Sequence, residues 1–191
     1  MGSIKVGILA LHGDVEEHRK ALLEAAKNLN LEIEVVEVRV PSDLDGVSHL
    51  VLPGGESSSY SKVMKENGLL EAIKNKASSL KFFGTCAGLI MLAKKVNNPA
   101  ENQLSLQLLD VEVERNAYGR QRESFEAELE TDFGKINGVF IRAPKIVKAN
   151  GVKILAKFNG EPVAVKEGNV LGCTFHPELT TTKFHELFLK N

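Results

Sequence analysis

"FFGTCAGLIM", residues 82–91, decides how this chain folds. Two bulky aromatic residues run into Gly84. Thr85, Cys86 and Ala87 follow, then Gly88 and an apolar run. A strand therefore ends and a helix begins around the cysteine. The segment has the glycine–x–nucleophile–x–glycine form of a nucleophile elbow, with cysteine at the nucleophile position. Such a turn lifts its side chain above the C-terminal end of a strand, where open α/β sheets bind ligands. It also sets the sulfur at the N-terminus of the next helix, whose partial positive charge favours thiolate over thiol. The backbone N–H of Ala87 is then placed to meet a developing oxyanion. A plainer reading stays open at this point, a small buried cysteine in a tight turn.

Around the elbow the first half alternates strand and helix. Ile4–Ala10 reads as a buried strand, and Asp14 as the N-cap of a helix with Val15, His18, Leu22, Ala25 and Leu29 on one face. Strands are predicted over Glu32–Val40, Ser48–Leu52 and Leu80–Gly84, with Ser42–Gly46 as loop. Helices are predicted over Ser57–Ala77, broken near Asn67-Gly68, and Ala87–Val96. This is the pattern of a mainly parallel sheet covered on both faces. The second half changes to strands: Leu108–Asn116, Arg122–Glu130, Gly138–Arg142, Val152–Phe158, Pro162–Glu167 and Val170–Phe175. Asn159-Gly160 is the strongest hairpin signal. A helix from about Thr181 to Leu189 closes the chain. The expected architecture is one α/β domain over residues 1–191, a three-layer αβα sandwich with a mainly parallel central sheet plus added antiparallel strands.

A thiol nucleophile needs a base, and the base an orienting group. Of five histidines, His176 directly follows an apolar strand, is fixed by Pro177, and has Glu178 two residues on. In extended chain, i and i+2 point the same way, so the carboxylate can accept the ring's other N–H. His12 follows the first strand and is a secondary candidate. His18 and His185 read as packed or surface positions on helices, and His49 as a strand residue. "LPGGES", 52–57, offers free glycine N–H groups that could complete an oxyanion hole with Ala87. Cys173 lies inside a strand and reads as core.

Composition narrows the class. The chain of 191 residues is 43% hydrophobic and 26% charged, with net charge −1. No strong field calls for nucleic acid, and no apolar run matches a membrane span. Two cysteines, without Cys/His metal spacing, suit a reducing, cytoplasmic setting and no metal site.

Together "LPGGES", "GTCAGL" and "HPEL" resemble the class I (triad) glutamine amidotransferases. "VERNAYGRQ" (113–121), "SFEAEL" (124–129), "GVFIRAP" (138–144) and "HPELT" (176–180) narrow the resemblance to the glutaminase subunit of pyridoxal 5′-phosphate synthase, over essentially the full length. The resemblance implies hydrolysis of L-glutamine, with ammonia passed to a partner synthase subunit. It implies no cofactor for this chain. It makes Cys86 the nucleophile, His176 the base and Glu178 its orienter. Gly54, Gly55, Glu56 and Ser57 match the glutamine-binding loop, with Gly55 and Ala87 as oxyanion donors. Arg115, Ile141 and Arg142 match further substrate-site positions. One departure stands out, His12 where the family reads glutamine in "LQG". A γ-glutamyl peptidase of the same fold would need an open groove in place of the matched 116–121 and 140–144 segments. A silent scaffold would be expected to lose a triad residue, and none is lost.

Overall fold

A computed structural model of the protein describes residues 3–11, 13–101, 103–117 and 124–191. The elements are β1 (Ile4–Leu9), α1 (Val15–Leu29), β2 (Ile33–Val38), β3 (His49–Leu52), α2 (Ser57–Glu66), α3 (Leu69–Lys76), β4 (Lys81–Thr85) and α4 (Ala87–Leu92). The second half adds β5 (Ala93–Asn97), β6 (Leu109–Glu114), β7 (Ser124–Thr131), β8 (Gly134–Ile141), β9 (Lys145–Ala149), β10 (Lys153–Phe158), β11 (Glu161–Glu167), β12 (Val170–Cys173) and α5 (Lys183–Leu189). Among the described residues no helix is long and apolar enough to cross a membrane.

A nine-stranded sheet runs in the order β2-β1-β3-β4-β12-β11-β10-β7-β8. Strands β2 to β12 of that order pair in parallel. The remaining four are added antiparallel. The parallel strands read as continuous apolar runs because both faces are covered. Alternate residues feed opposite layers. Leu50, Leu52 and Phe82 pack with Tyr60, Met64, Ile73 and Leu89 of the α2–α4 side. Val51 and Phe83 pack with Leu22 and Ala25 of α1 and with Phe184 and Phe188 of α5. Phe82 and Phe83 thus serve one layer each, as the two-residue period of a strand requires. Phe125 stacks on Phe140 at 4.6 Å between ring centres, and Phe140, Phe175 and Phe184 continue the aromatic ladder to α5. Asn159 and Gly160, at φ 51° and 81°, form the expected hairpin turn between β10 and β11.

The structure corrects three expectations. Helix α4 stops at Leu92 rather than Val96, and Ala93–Asn97 becomes β5, paired with β6 in a separate three-stranded sheet with β9. A continuing helix would send the Lys95 and Val96 amides to the Met91 and Leu92 carbonyls. Those carbonyls instead accept from Leu106 N at 2.7 Å and Leu108 N at 2.9 Å, so the returning chain ends the helix. Strand β9 was not predicted, although Ile146 is buried and Val147 exposed in strand alternation. Part of the Ser42–Gly46 loop belongs to a 3-10 turn over Pro41–Leu44. Residues 122 and 123 of the expected sixth strand lie outside the described residues.

Glycines set the closest approaches beneath the sheet's C-terminal edge. A Cβ on Gly88 would lie 1.8 Å from the Leu52 carbonyl oxygen, and one on Gly84 would lie 2.6 Å from Gly88 backbone. Gly88→Ala must therefore move a backbone. We expect a loss of about 3 kcal/mol or more in urea unfolding, at or beyond the usual range for overpacking. Gly151→Ala meets open space but sits at φ +68°. It should cost roughly 1–2 kcal/mol.

Candidate active site

Strands β1, β3, β4 and β12 run parallel, so the segments after them meet on one edge. Cys86 follows β4 at φ 50°, ψ −105°, a conformation that strains any residue with a Cβ. Its N–H donates to Cys173 O at 2.8 Å, and its carbonyl accepts from Ile90 N at 3.3 Å. The thiol is nearly buried and points to Ile141 O at 3.6 Å. Helix α4 opens on Ala87, whose amide has no partner inside the helix.

His176 lies beyond β12, its N–H donating to Val139 O at 2.8 Å. Its ring packs flat against backbone, for a Cβ on Gly54 would fall 2.4 Å from His176 Cε1. Glu178, in the 3-10 turn Pro177–Leu179, places Oε1 2.7 Å from His176 Nδ1. That is the orientation expected from sequence. A second carboxylate was missed. Asp14, expected as the N-cap of α1, makes no side-chain capping bond. Its Oδ2 lies 3.1 Å from the same Nδ1. The signal was present, an acid in the loop after the first strand, but the helix start offered a sufficient local explanation. Asp14, His176 and Glu178 offer ligand atoms within 4.8 Å of one another. Both carboxylates converge on one imidazole N–H, an arrangement that hydrogen bonding satisfies without a cation.

The charges follow from these contacts. Burial pulls His176 down, but hydrogen bonds to Asp14, Cys86 and Glu178 and the charge of Glu178 outweigh it and push the ring up to about 12. Its hydrogen bond to His176 holds Asp14 below the ordinary carboxylate range, against partial burial. Burial raises Glu178, against the pull of His176. Burial also drives Cys173 well up, with Glu178 adding to it. Cys173 is a fully buried core thiol, as read.

The glycine loop follows β3. Gly54 is buried, while Gly55, at φ +139°, and Glu56 are exposed. Gly54 O accepts the Tyr60 hydroxyl at 2.6 Å, a contact that the sequence pattern gave no sign of. Glu56 Oε1 accepts from Ser58 Oγ at 2.8 Å. Ser57 opens α2, and its side chain, like all of His12, lies outside the described residues. Ile141 ends β8 beside the thiol, and Arg142 follows at φ 45°, exposed. Arg115 lies just past β6 on the small sheet, half-buried. The elbow, the glycine loop, the His–Glu pair and Ile141 thus come together, with Arg115 set on the neighbouring sheet.

A strained cysteine above a parallel sheet, with an oriented imidazole beside it, accords with the family whose profile the sequence matches. Its profile, that of the SNO glutamine amidotransferases, covers residues 8–191. The chain belongs to the SNO glutamine amidotransferase family. Among similar curated proteins, one from Thermococcus gammatolerans is 46% identical over 193 residues, covering 98% of each chain. One from Pyrococcus horikoshii is 47% identical over 193 residues, also covering 98% of each. Both carry the name pyridoxal 5′-phosphate synthase subunit PdxT. A solved structure described as a glutamine amidotransferase superposes with a TM-score of 0.85 at 45% identity, covering 97% of both chains. The glutamine amidotransferase fold thus carries the whole of the described sheet.

Asp14→Asn removes one of the two charges on Nδ1. His176 should then titrate below the natural chain's value of about 12, as followed by NMR of the ring nitrogens. Turnover should stay within about tenfold, because an ion pair to a partly exposed carboxylate is worth little more than about 1 kcal/mol. The sign of the stability change follows from Asp14 being held low in the folded chain. Its contribution is present above the ordinary carboxylate pKa and is lost as pH falls through the lower folded value. The natural chain and Asp14→Asn should therefore converge in stability toward strong acid.

Proposed function

We propose that this chain is the glutaminase subunit of a pyridoxal 5′-phosphate synthase, releasing glutamate and handing ammonia to a synthase subunit. One observation carries the reading. The strained Cys86 shares one sheet edge with an imidazole whose far nitrogen is held by Glu178 at 2.7 Å. With Nδ1 engaged, Nε2 is left to exchange a proton with the thiol and substrate.

Cys86 Sγ, as thiolate, attacks the side-chain amide carbon of L-glutamine. The carbonyl π pair moves to oxygen, which the Gly55 and Ala87 N–H groups receive. His176 Nε2–H protonates the amide nitrogen, the C–N bond breaks and ammonia leaves. Water then attacks the γ-glutamyl thioester while His176 takes its proton, and the C–S bond breaks to give glutamate and free Cys86. Acyl transfer and hydrolysis of this kind need no cofactor from the chain. Glu56 offers the charge an α-ammonium group needs. Arg142 and Arg115 offer guanidinium forks for a carboxylate, and Ile141 the pocket wall. Two free cysteines fit a reducing, cytoplasmic setting.

Two measurements test this. Cys86→Ser should lose turnover on the order of a millionfold, the usual result of removing a triad nucleophile, while Cys173→Ser keeps most activity. Retained glutamate release in Cys86→Ser would remove the nucleophile assignment. The second titrates a matching synthase subunit at saturating glutamine. Glutamate release should rise about 10²–10³-fold if one oxyanion donor is set only on docking. Comparison with His12→Gln shows whether that position tunes the response. Full rate in the isolated chain would exclude partner gating.

A further inference from the structure

Two further histidines lie directly behind the triad, and the reaction above does not use them. His18 of α1 and His185 of α5 are both wholly buried. His18 Nδ1 is 2.9 Å from His185 Nε2. His18 Nε2 is 3.1 Å from Thr85 Oγ1, one residue before the nucleophile, and 3.6 Å from Glu178 Oε2. Glu178 Oε2 and His185 Nδ1 are buried with no hydrogen-bond partner.

Only one proton arrangement suits these neighbours. When His185 Nε2–H donates to His18 Nδ1, His18 carries its own proton on Nε2, facing Thr85 and the carboxylate. The atom left over is His185 Nδ1, a neutral acceptor. In the reverse arrangement His18 Nε2 accepts from the Thr85 hydroxyl but also turns its lone pair toward a buried carboxylate oxygen, and His185 Nδ1 becomes an unmatched donor. An unmatched donor and a lone pair facing an anion are both costly away from water. Burial holds His18 well below its ordinary pKa, with the charges of His185 and His176 adding to it, and holds His185 at about 3. The pair therefore presents a dipole and no net charge. Phe83 packs edge-on against both rings and keeps them in place.

We propose that His18, its tautomer fixed by His185, is a positioning residue of the triad whose Nε2–H faces the second oxygen of Glu178 and anchors that carboxylate for His176. At 3.6 Å the contact is charge–dipole rather than a full hydrogen bond, and a small rotation of the carboxylate closes it. The groups facing Glu178 are its own backbone N–H and His176 on its own segment, Asp14 before α1, His18 from α1 and Cys173 from β12. Of these, His18 brings a neutral ring N–H to within 3.6 Å of Oε2. Losing that donor favours the protonated carboxyl, so the acid limb of kcat/KM moves to higher pH.

The inference rests on the triad reading, and the test separates the two. In the complex with a synthase subunit, His18→Leu should lower kcat about tenfold, the low end for a hydrogen bond to a charged group because the contact is long, with KM nearly unchanged. His18→Gln, whose amide reaches the same place, should recover much of that loss. In a Glu178→Gln background, His18→Leu should add little, because both changes break one path. Additive losses, an unmoved acid limb, or a glutamine variant no better than leucine would overturn the proposal. Ring-nitrogen NMR of the natural chain gives an independent reading, with His18 expected neutral and protonated on Nε2 at neutral pH. The opposite tautomer, or a cationic His18, would overturn it even where the leucine variant fails to fold. A natural complex that released no glutamate would count against the glutaminase reading alone, and the tautomer would still decide this one.

Discussion

Cys86 holds a backbone conformation that costs on the order of 1–3 kcal/mol, and the surrounding chain has to enforce it. The enforcement is backbone against backbone. Gly84 lies on Gly88, Gly88 lies on the Leu52 carbonyl, and two residues past Leu52 the ring of His176 lies on Gly54. Cys86, the glycine loop and His176 are thus registered through positions that carry no side chain. Side chains can change rotamer to absorb a shift, whereas a carbonyl in a paired strand cannot. A displacement of about 1 Å between reacting groups can cost a hundredfold in rate, so contacts this stiff suit a reaction between thiol, imidazole and amide.

Electrostatics divides the labour between two acids on one ring nitrogen. The Glu178 side chain is wholly buried, while that of Asp14 is 38% exposed. Water screens the Asp14 charge and leaves its position adjustable, while Glu178 acts across a medium of low dielectric. The same burial works against the Glu178 charge, so that acid depends on every donor it can reach. His176 satisfies one oxygen. The other faces His18 of α1, which His185 of α5 backs in a layer that also holds Leu22, Phe83, Phe184 and Phe188.

Much of the fold was legible because its signals are local. The elbow, the opposite layers served by Phe82 and Phe83, the break at Asn67-Gly68 and the Asn159-Gly160 turn each follow from a few neighbouring residues. The His176–Glu178 pair was legible because spacing places the carboxylate beside the ring. What escaped depends on chain far away in sequence. The end of α4 is set by amides of Leu106 and Leu108, and β9 exists because β6 offers it an edge. Asp14, His18 and His185 each had an adequate local reading, as cap or helix position, and Tyr60 carried no signal of its own. Only the crossing of α1, α5 and the glycine loop over the sheet edge turns them toward the site.

Tyr60 also bears on how the glycine loop could respond to a partner. Burial pushes its hydroxyl pKa upward, with Asp14 and Cys86 adding to this, so the proton stays on and is donated to Gly54 O at 2.6 Å. A peptide group is planar, so fixing that carbonyl also fixes the Gly55 N–H on the opposite side. The hydroxyl fills the space where a Gly55 Cβ would sit, at 2.7 Å, so the lock itself demands glycine. Turning this peptide therefore costs mainly one neutral hydrogen bond, about 1 kcal/mol net. A micromolar association releases about 8 kcal/mol. A docking subunit therefore has ample free energy to turn the Gly54–Gly55 peptide, while the Tyr60 hydrogen bond alone biases it only several-fold toward the orientation seen here.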